Sequence, residues 1–126
     1  VVDVTYCTDY SGLSNPAEAG DVLLGGGPVL CNSPIVVKGL NDRMVECAEK
    51  IGIPTQREAA SRLSYTDADQ IHFSNQGVPT VLVSVPLRNM HTAAEVADMS
   101  DVNGCIELIA EFVCTYIDNA YKRKME

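Results

Sequence analysis

The sequence predicts an α/β fold in which helices cover both faces of one sheet. Four strand-like segments alternate with three helix-like segments, an order typical of this class. The apolar run at residues 80–85 lacks the alternating polar positions of a half-exposed strand, which indicates a strand buried between two layers. The 126 residues are enough for one domain with one core, and no repeat or linker divides them.

The four predicted strands are short runs of β-branched and apolar residues bounded by turn residues. They occupy residues 1–6, 28–31, 53–58 and 80–85. Asp3 interrupts the first strand between Val2 and Val4. Burying a carboxylate there is unfavourable unless it is paired or bound to a metal ion, so Asp3 is either a metal ligand or a strand residue that faces water.

Two longer helices are predicted from capping residues and apolar spacing. Asn41 is expected to cap the first, with Asp42 in its first turn and Gly52 at its end. Ser100 is expected to cap the last helix, with Asp101 in its first turn. The apolar residues of this last helix recur at helical spacing through residue 120, so it is expected to pack along the sheet.

A short helix is predicted between these two. Thr66 is suited to cap it, with Asp67 and Asp69 in its positive first turn. This capping role explains the three polar residues without a ligand. The helix is expected to end at Gly77. His72 lies on it with no other metal-ligating residue at a helical spacing, so a surface or core-edge histidine is expected.

Residues 9–27 are predicted to form a loop, because glycine, proline, serine and asparagine recur through them. The three consecutive glycines at 25–27 lack the spacing and the lysine of a phosphate-binding P-loop. They are expected to allow close approach of the backbone to a strand or a ligand.

Charge and composition argue against two classes of partner. The formal net charge is −8 and the basic cluster is confined to residues 122–124, so nucleic-acid binding is not expected. A membrane partner is not expected either, because no apolar run approaches the roughly 20 residues of a membrane-spanning helix. The five cysteines are odd in number and show no CxxC spacing, which is typical of reduced, buried thiols in a cytoplasmic protein.

His91 is the strongest candidate for chemistry, because it follows the buried strand at residues 80–85. Ligands in α/β folds bind beyond the carboxyl ends of strands. Asp3 and His91 could meet at one metal ion, since carboxylate and imidazole groups both bind zinc. A lone histidine in such a place is more often structural, and that alternative stays open.

Two residues near His91 are candidate supporting residues. If the turn after His91 is helical, Glu95 lies on the same side and could orient the imidazole. Arg88 could help to place a carboxylate or bond a neighbouring loop. A surface salt bridge is an equal alternative for Arg88.

Several motifs, taken in order, resemble those of one protein family. They are Val2-Asp3-Val4-Thr5 with Thr8-Asp9, Gly26-Gly27-Pro28-Val29, Ile51-Gly52-Ile53-Pro54-Thr55-Gln56, Thr66-Asp67-Ala68, Gly77-Val78-Pro79-Thr80, and Pro86-Leu87-Arg88-Asn89-Met90-His91 with Glu95. The family is the dinuclear zinc aminopeptidases that include glutamyl aminopeptidase and the tetrahedral (TET) aminopeptidases. Some members have been labelled endoglucanases.

This resemblance implies a three-layer α/β/α sandwich with a mostly parallel or mixed sheet. It also implies a cytoplasmic homo-oligomer that removes N-terminal residues from peptide substrates, using two divalent metal ions, zinc or cobalt. By the same resemblance, Asp3 and His91 are ligands of different metal ions. Thr66 and Asp67 lie in a motif close to the substrate pocket.

The resemblance covers only the C-terminal portion of the family's catalytic domain. The earlier histidine ligand, the bridging aspartate and the adjacent glutamate pair are expected upstream of Asp3. The family's inserted β-rich assembly domain is missing from residues 1–126 as well. The chain starts with a strand instead of a signal peptide and has no initiator methionine, so residues 1–126 are expected to be an inactive fragment of the enzyme.

Two other functions remain open: a non-catalytic α/β assembly module and, less favoured, an endoglucanase. Ser64-Tyr65 stands where many relatives have small residues, and Asn89 stands where many have tyrosine. Both departures leave the substrate preference open.

Overall fold

The computed structural model describes residues 1–9 and 20–125, with side chains described as far as residue 116. Over these residues the order of elements is β1 (Val2–Tyr6), β2 (Val29–Asn32), α1 (Lys38–Ile51), β3 (Gln56–Ala59), α2 (Asp67–His72), β4 (Val83–Arg88), β5 (Val96–Ala97) and α3 (Met99–Met125). This order confirms the predicted α/β class.

The strands form one mixed sheet in the order β1-β4-β2-β3, with β5 paired to β4. β1 runs parallel to β4, with Asp3 opposite Ser84 and Tyr6 opposite Leu87. β2 is antiparallel to β4, and β3 is parallel to β2. Because β1 and β4 are parallel, their carboxyl ends meet at the same edge of the sheet. Residues that follow β4 are therefore brought near the end of β1.

Helices cover both faces of this sheet. Leu30 and Cys31 are neighbours in β2, so their side chains point to opposite faces. Leu30 belongs to a core cluster with residues of α1 and α3, including Met44 and Leu108. Cys31 belongs to a second cluster that contains Ala68 of α2 together with Ile35 and Leu82. This confirms the expected layered arrangement.

The glycine-rich stretch before β2 is held against the start of α3. The Asp101 carboxylate, which is fully buried, accepts the backbone N–H groups of Gly25 (2.8 Å) and Gly27 (2.7 Å). At Gly27, where φ is 95°, an added Cβ atom would lie 2.1 Å from the Pro54 carbonyl oxygen. The expected close approach of backbone is therefore confirmed. Of the loop predicted at residues 9–27, positions 10–19 lie outside the described residues.

The predicted caps of the two long helices are wrong. α1 begins at Lys38, and Asn41 is buried inside it. The Asn41 side-chain amide donates to the Cys31 carbonyl (3.2 Å) and to the Asn32 side chain (3.0 Å), which ties α1 to β2. α3 begins at Met99, and the preceding Asp98 accepts both the backbone N–H (2.8 Å) and the hydroxyl (2.7 Å) of Ser100.

The ends of the other elements are partly as expected. Gly52 ends α1 in the left-handed conformation (φ 73°), as predicted, and the Thr66 hydroxyl caps α2 by accepting the N–H of Ala68. α2 is shorter than predicted, because it ends at His72 instead of Gly77. β3 begins at Gln56, three residues after the predicted start.

β4 is displaced along the chain relative to its prediction, because it passes through Pro86 and ends at Arg88. Pro86 has no N–H to give to a neighbouring strand. β2 pairs with β4 only as far as Ser84, and β5 pairs from Leu87 onwards, so Pro86 faces the gap between them.

Four of the five cysteines are free and buried as expected, but Cys114 is exposed, so the prediction was wrong there. Burial raises the pKa of Cys31 and of Cys105 to about 11, which leaves both thiols protonated and unreactive. None of the described helices combines the length and apolar character that crossing a membrane requires.

Candidate metal and substrate cleft

A cleft of about 650 Å³ opens beside β1. Its walls come from three places: β1 itself, the segment that leads from β3 to α2, and the turn that follows β4. The lining residues are Asp3, Val4, Thr5, Tyr6, Ala59, Ala60, Ser61, Leu63, Ser64, Tyr65, Thr66, Met90 and His91. Asp3 and His91, which are far apart in the sequence, therefore line one cavity.

Asp3 reaches the cleft from the body of β1. It is half-buried between Val2 and Val4, opposite Ser84 of β4. One of its carboxylate oxygens accepts the backbone N–H of Val4 at 2.8 Å. This bond fixes the carboxylate close to the strand, and a carboxylate has a second oxygen with which to bind a cation.

His91 reaches the cleft from the hairpin loop at residues 89–95, which joins β4 to β5. Both Asn89 (φ 56°) and His91 (φ 64°) adopt the left-handed backbone conformation that favours glycine. The Thr92 hydroxyl donates to the Asn89 carbonyl oxygen at 2.6 Å and closes the first part of the loop. The His91 side chain is exposed, and its ring stands edge-on to that of Tyr6, with centroids 6.4 Å apart.

Glu95 supports the backbone of this loop. Its carboxylate accepts the backbone N–H of His91 at 2.6 Å. Glu95 was expected to lie beside the imidazole if the turn after His91 is helical. The turn is not helical, so this expectation does not apply. Glu95 therefore acts on the position of His91 through the main chain.

Arg88 forms a two-pronged ion pair with Asp9. Its Nε donates to one carboxylate oxygen at 3.1 Å and its Nη2 to the other at 2.6 Å. The Arg88 hydrogen bond holds the pKa of Asp9 below its usual value. This pair connects the end of β4 to the segment that follows β1, so it braces the two strands that carry the cleft residues. Asp9 was not predicted as a partner of Arg88.

Thr66 and Asp67 are placed differently. Thr66 is half-buried, lines the cleft and caps α2. Asp67 is exposed in the first turn of α2 and is not among the residues that line the cleft. The structure thus brings Thr66, but not Asp67, to the cavity that holds Asp3 and His91.

Asp69 shapes the cleft wall, a role that was not predicted from the sequence. Its buried carboxylate accepts the N–H (2.9 Å) and hydroxyl (2.9 Å) of Ser64 and the N–H of Tyr65 (2.8 Å). Burial alone would raise the pKa of Asp69, but these hydrogen bonds hold it below its usual value. The spacing Thr66-x-x-Asp69 is that of a capping box, which is the sequence signal that could have indicated a carboxylate reaching back past the helix start.

Glu58 was also missed. It lies half-buried in β3 and accepts a hydrogen bond from the hydroxyl of Thr5, two residues beyond Asp3. Burial raises the pKa of its carboxyl group above the ordinary value, although the Thr5 bond opposes this. Glu58 lies within a predicted strand, as Asp3 does, and a carboxylate in that position is the sequence feature that could have indicated a role for it.

The described residues do not make a complete metal site. No group of three histidine, cysteine, aspartate or glutamate side chains able to hold a metal ion occurs in residues 1–9 and 20–116. Asp3 and His91 have the right chemistry for zinc, but a catalytic zinc takes about three protein ligands. The donor set therefore fits a part of a metal centre and not a whole one.

Comparison with known proteins identifies the family. Residues 1–108 match the peptidase family described as M42 glutamyl aminopeptidase. The chain is 34% identical to the lysyl aminopeptidase of Pyrococcus furiosus over 108 residues. This alignment covers 84% of this chain and 31% of that protein.

Solved structures agree with this. The TET aminopeptidase of the marine sediment archaeon Thaumarchaeota archaeon SCGC AB-539-E09 superposes with a TM-score of 0.77 at 26% identity, covering 87% of this chain and 31% of that chain. The TET1 peptidase of Pyrococcus horikoshii, which can assemble into a tetrahedron or a large octahedral shell, superposes with a TM-score of 0.62 at 26% identity over the same shares.

The chain spans about one third of the length of the curated relatives it matches. The match extends from the first residue through β5 and into α3, so it includes every wall of the cleft. The predicted resemblance is thereby confirmed, and the chain belongs to the M42 glutamyl aminopeptidase family.

Proposed function

We propose that residues 1–126 are the C-terminal portion of the catalytic domain of a metal-dependent aminopeptidase, which removes N-terminal residues from peptides. The observation that carries the proposal is that Asp3 and His91 line one cleft although they are far apart in the sequence. The family match supports it, because relatives are named as aminopeptidases.

In this proposal Asp3 and His91 each hold one of two divalent metal ions, zinc or cobalt, and residues outside this chain complete both coordination spheres. Such ions polarise a carbonyl group and activate water. Within this chain, the Val4 N–H orients the Asp3 carboxylate, and Glu95 holds the backbone that carries His91. Thr66 lies on the wall where a bound peptide would pass.

We further propose that the full-length protein is a cytoplasmic homo-oligomer. The assembly of the Pyrococcus horikoshii relative into closed shells supports the oligomer. The four buried free thiols support a reducing compartment, because cysteines in oxidising compartments are usually paired.

The experiment uses the full-length protein with zinc or cobalt and an aminoacyl chromogenic amide. We expect about two metal ions per subunit and hydrolysis that a chelator abolishes. Asp3→Ala and His91→Ala should each lower the metal content and reduce activity at least about a hundredfold, because each removes a ligand of the centre. His72→Ala is the matched control, since His72 is the other of the two histidines and lies outside the cleft lining.

Two outcomes would contradict the proposal. A full-length protein that binds no metal would support the non-catalytic assembly module instead. Hydrolysis of a β-glucan that survives chelation would support the endoglucanase, which needs two carboxylates flanking the sugar bond. Of the described residues that line the cleft, Asp3 alone carries a carboxylate.

A further inference from the structure

Tyr65 stands on the rim of the cleft in an unusual state. It lines the same cavity as Asp3 and His91, yet its side chain is 90% exposed. Its backbone is left-handed, with φ 57°, a conformation that is unfavourable for an aromatic residue. Non-glycine residues in this region concentrate at ligand clamps and active sites, where other contacts hold them.

Asp69 supplies the contacts that hold Tyr65. Its carboxylate accepts the Tyr65 backbone N–H and both donors of the adjacent Ser64. Asp69 is itself buried at the start of α2, with 7% of its surface exposed. The ring is thus presented to the cleft mouth by a rigid support, with its apolar faces open to a bound molecule.

The walls that the described residues give to the cleft carry almost no charge. Among the described lining residues, Asp3 carries the one carboxylate and His91 the one basic side chain, and both are assigned above to metal ions. The other lining residues are apolar or neutral, and the large ones are Tyr6, Leu63, Tyr65 and Met90. A charged substrate side chain that lies against these walls would lose water without gaining an opposite charge from them, which is unfavourable.

We propose that Tyr65 is a specificity-determining residue that packs against the N-terminal side chain of the substrate, and that the enzyme prefers peptides with a neutral, apolar N-terminal residue. This inference rests on the proposed function. Family membership does not decide the point, because the family is described as glutamyl and one relative is a lysyl aminopeptidase.

The first test measures kcat/KM of the metal-loaded full-length protein on leucyl, phenylalanyl, alanyl, lysyl and glutamyl amides. Leucyl or phenylalanyl amide should exceed the lysyl and glutamyl amides at least about tenfold, because one well-placed apolar contact changes discrimination by that order. A preference for the lysyl or glutamyl amide would overturn this inference while leaving the aminopeptidase assignment intact. Absence of hydrolysis on the whole panel would overturn both.

The second test uses Tyr65→Gly, which removes the ring and suits the left-handed backbone, so that folding is preserved. We expect kcat/KM on the phenylalanyl amide to fall about three- to tenfold, the range for loss of an aromatic contact, with the alanyl amide changed less than about twofold. Tyr65→Phe keeps the ring and should keep the preference. Phe73→Ala is the matched control, because Phe73 is 67% exposed and lies outside the cleft lining.

A uniform fall on all amides in Tyr65→Gly would contradict a role in specificity and indicate a structural one. An unchanged phenylalanyl-to-alanyl ratio would contradict it as well. The thermal unfolding midpoint of each variant separates these results from loss of folded protein.

Discussion

At the scale of single residues, the position of His91 depends on its neighbour Glu95. His91 and Asn89 hold left-handed conformations that residues with a Cβ atom adopt at a cost in free energy. The Glu95 carboxylate offsets this by accepting the backbone N–H of His91. The imidazole is thus aimed at the cleft through the main chain that carries it.

We expect Glu95→Ala in the full-length protein to weaken metal binding about tenfold, which is the lower end of the effect of losing a residue that supports a metal ligand. Glu95→Gln keeps an oxygen that can accept the same N–H, so it should retain most of the affinity. Titration of the metal-free protein with zinc against a competing chelator measures both variants. Equal affinities of Glu95→Ala and the unmodified protein would contradict this role.

Asp3 and His91 could be found from the sequence because each belongs to a short motif that the family resemblance covers. Glu58 and Asp69 could not be found in that way. The hydrogen bond between Glu58 and Thr5 joins two strands that are distant in the chain, so it exists only once the sheet has formed. Asp69 looked like a residue of a helix first turn, and its reach back to Ser64 depends on the path of the preceding loop.

At the scale of elements, α2 and the segment before it form one unit through Asp69. We expect Asp69→Ala to lower the free energy of unfolding at pH 7 by about 2 kcal/mol, since the donors of Ser64 and Tyr65 lose their charged acceptor. Asp67→Ala, an exposed change in the same turn, should have little effect. Urea unfolding compares the three proteins.

The pH dependence gives a second readout of Asp69. Its folded-state pKa is held below the ordinary value of about 4, so the folded state favours the charged carboxylate. The stability it contributes is present above that value and is lost as the pH falls through the lower folded-state pKa. The difference between Asp69→Ala and the unmodified protein should therefore shrink below about pH 4. If the difference in unfolding free energy between the two proteins stayed constant down to about pH 3, the charge on Asp69 would have no such role.

The starts of the two long helices show why caps are hard to predict. Asn41 and Ser100 are both good capping types, yet Val37 and Asp98 occupy the cap positions. Each predicted residue lies within one turn of the true start, where several residues could serve. Packing of Asn41 against β2 decides the first case, and the carboxylate of Asp98, which bonds Ser100 twice, decides the second.

At the scale of the whole molecule, the class could be predicted but the strand order could not. Alternating elements and the apolar run before the cleft were enough for an α/β layered fold. The antiparallel pairing of β2 with β4 left no sign in either strand, because both strands have buried residues on each face whichever way they run. The cleft likewise requires the end of β3 and the β4–β5 loop to meet beside β1, which only the assembled sheet specifies.

β1 lies at one edge of the described sheet, opposite the edge formed by β3, and it has β4 as its partner on one side. Its exposed residues include Val2 at 56% and Tyr6 at 47%. An edge with open backbone groups and apolar side chains is a template for pairing with another chain. When produced by itself, this polypeptide is therefore expected to self-associate through this edge, or to aggregate, as its concentration rises.

Sedimentation velocity across a wide range of concentrations would detect that self-association. Val2→Lys should suppress it, since lysine on an edge strand discourages further pairing. Val113→Lys, at a site 45% exposed on α3, is the matched control and should not. A chain that stays monomeric throughout would show that the edge is already protected. If the chain does self-associate, the strand that carries Asp3 is the site of that association. Metal binding or activity of the isolated polypeptide should then be measured only at concentrations where it is monomeric.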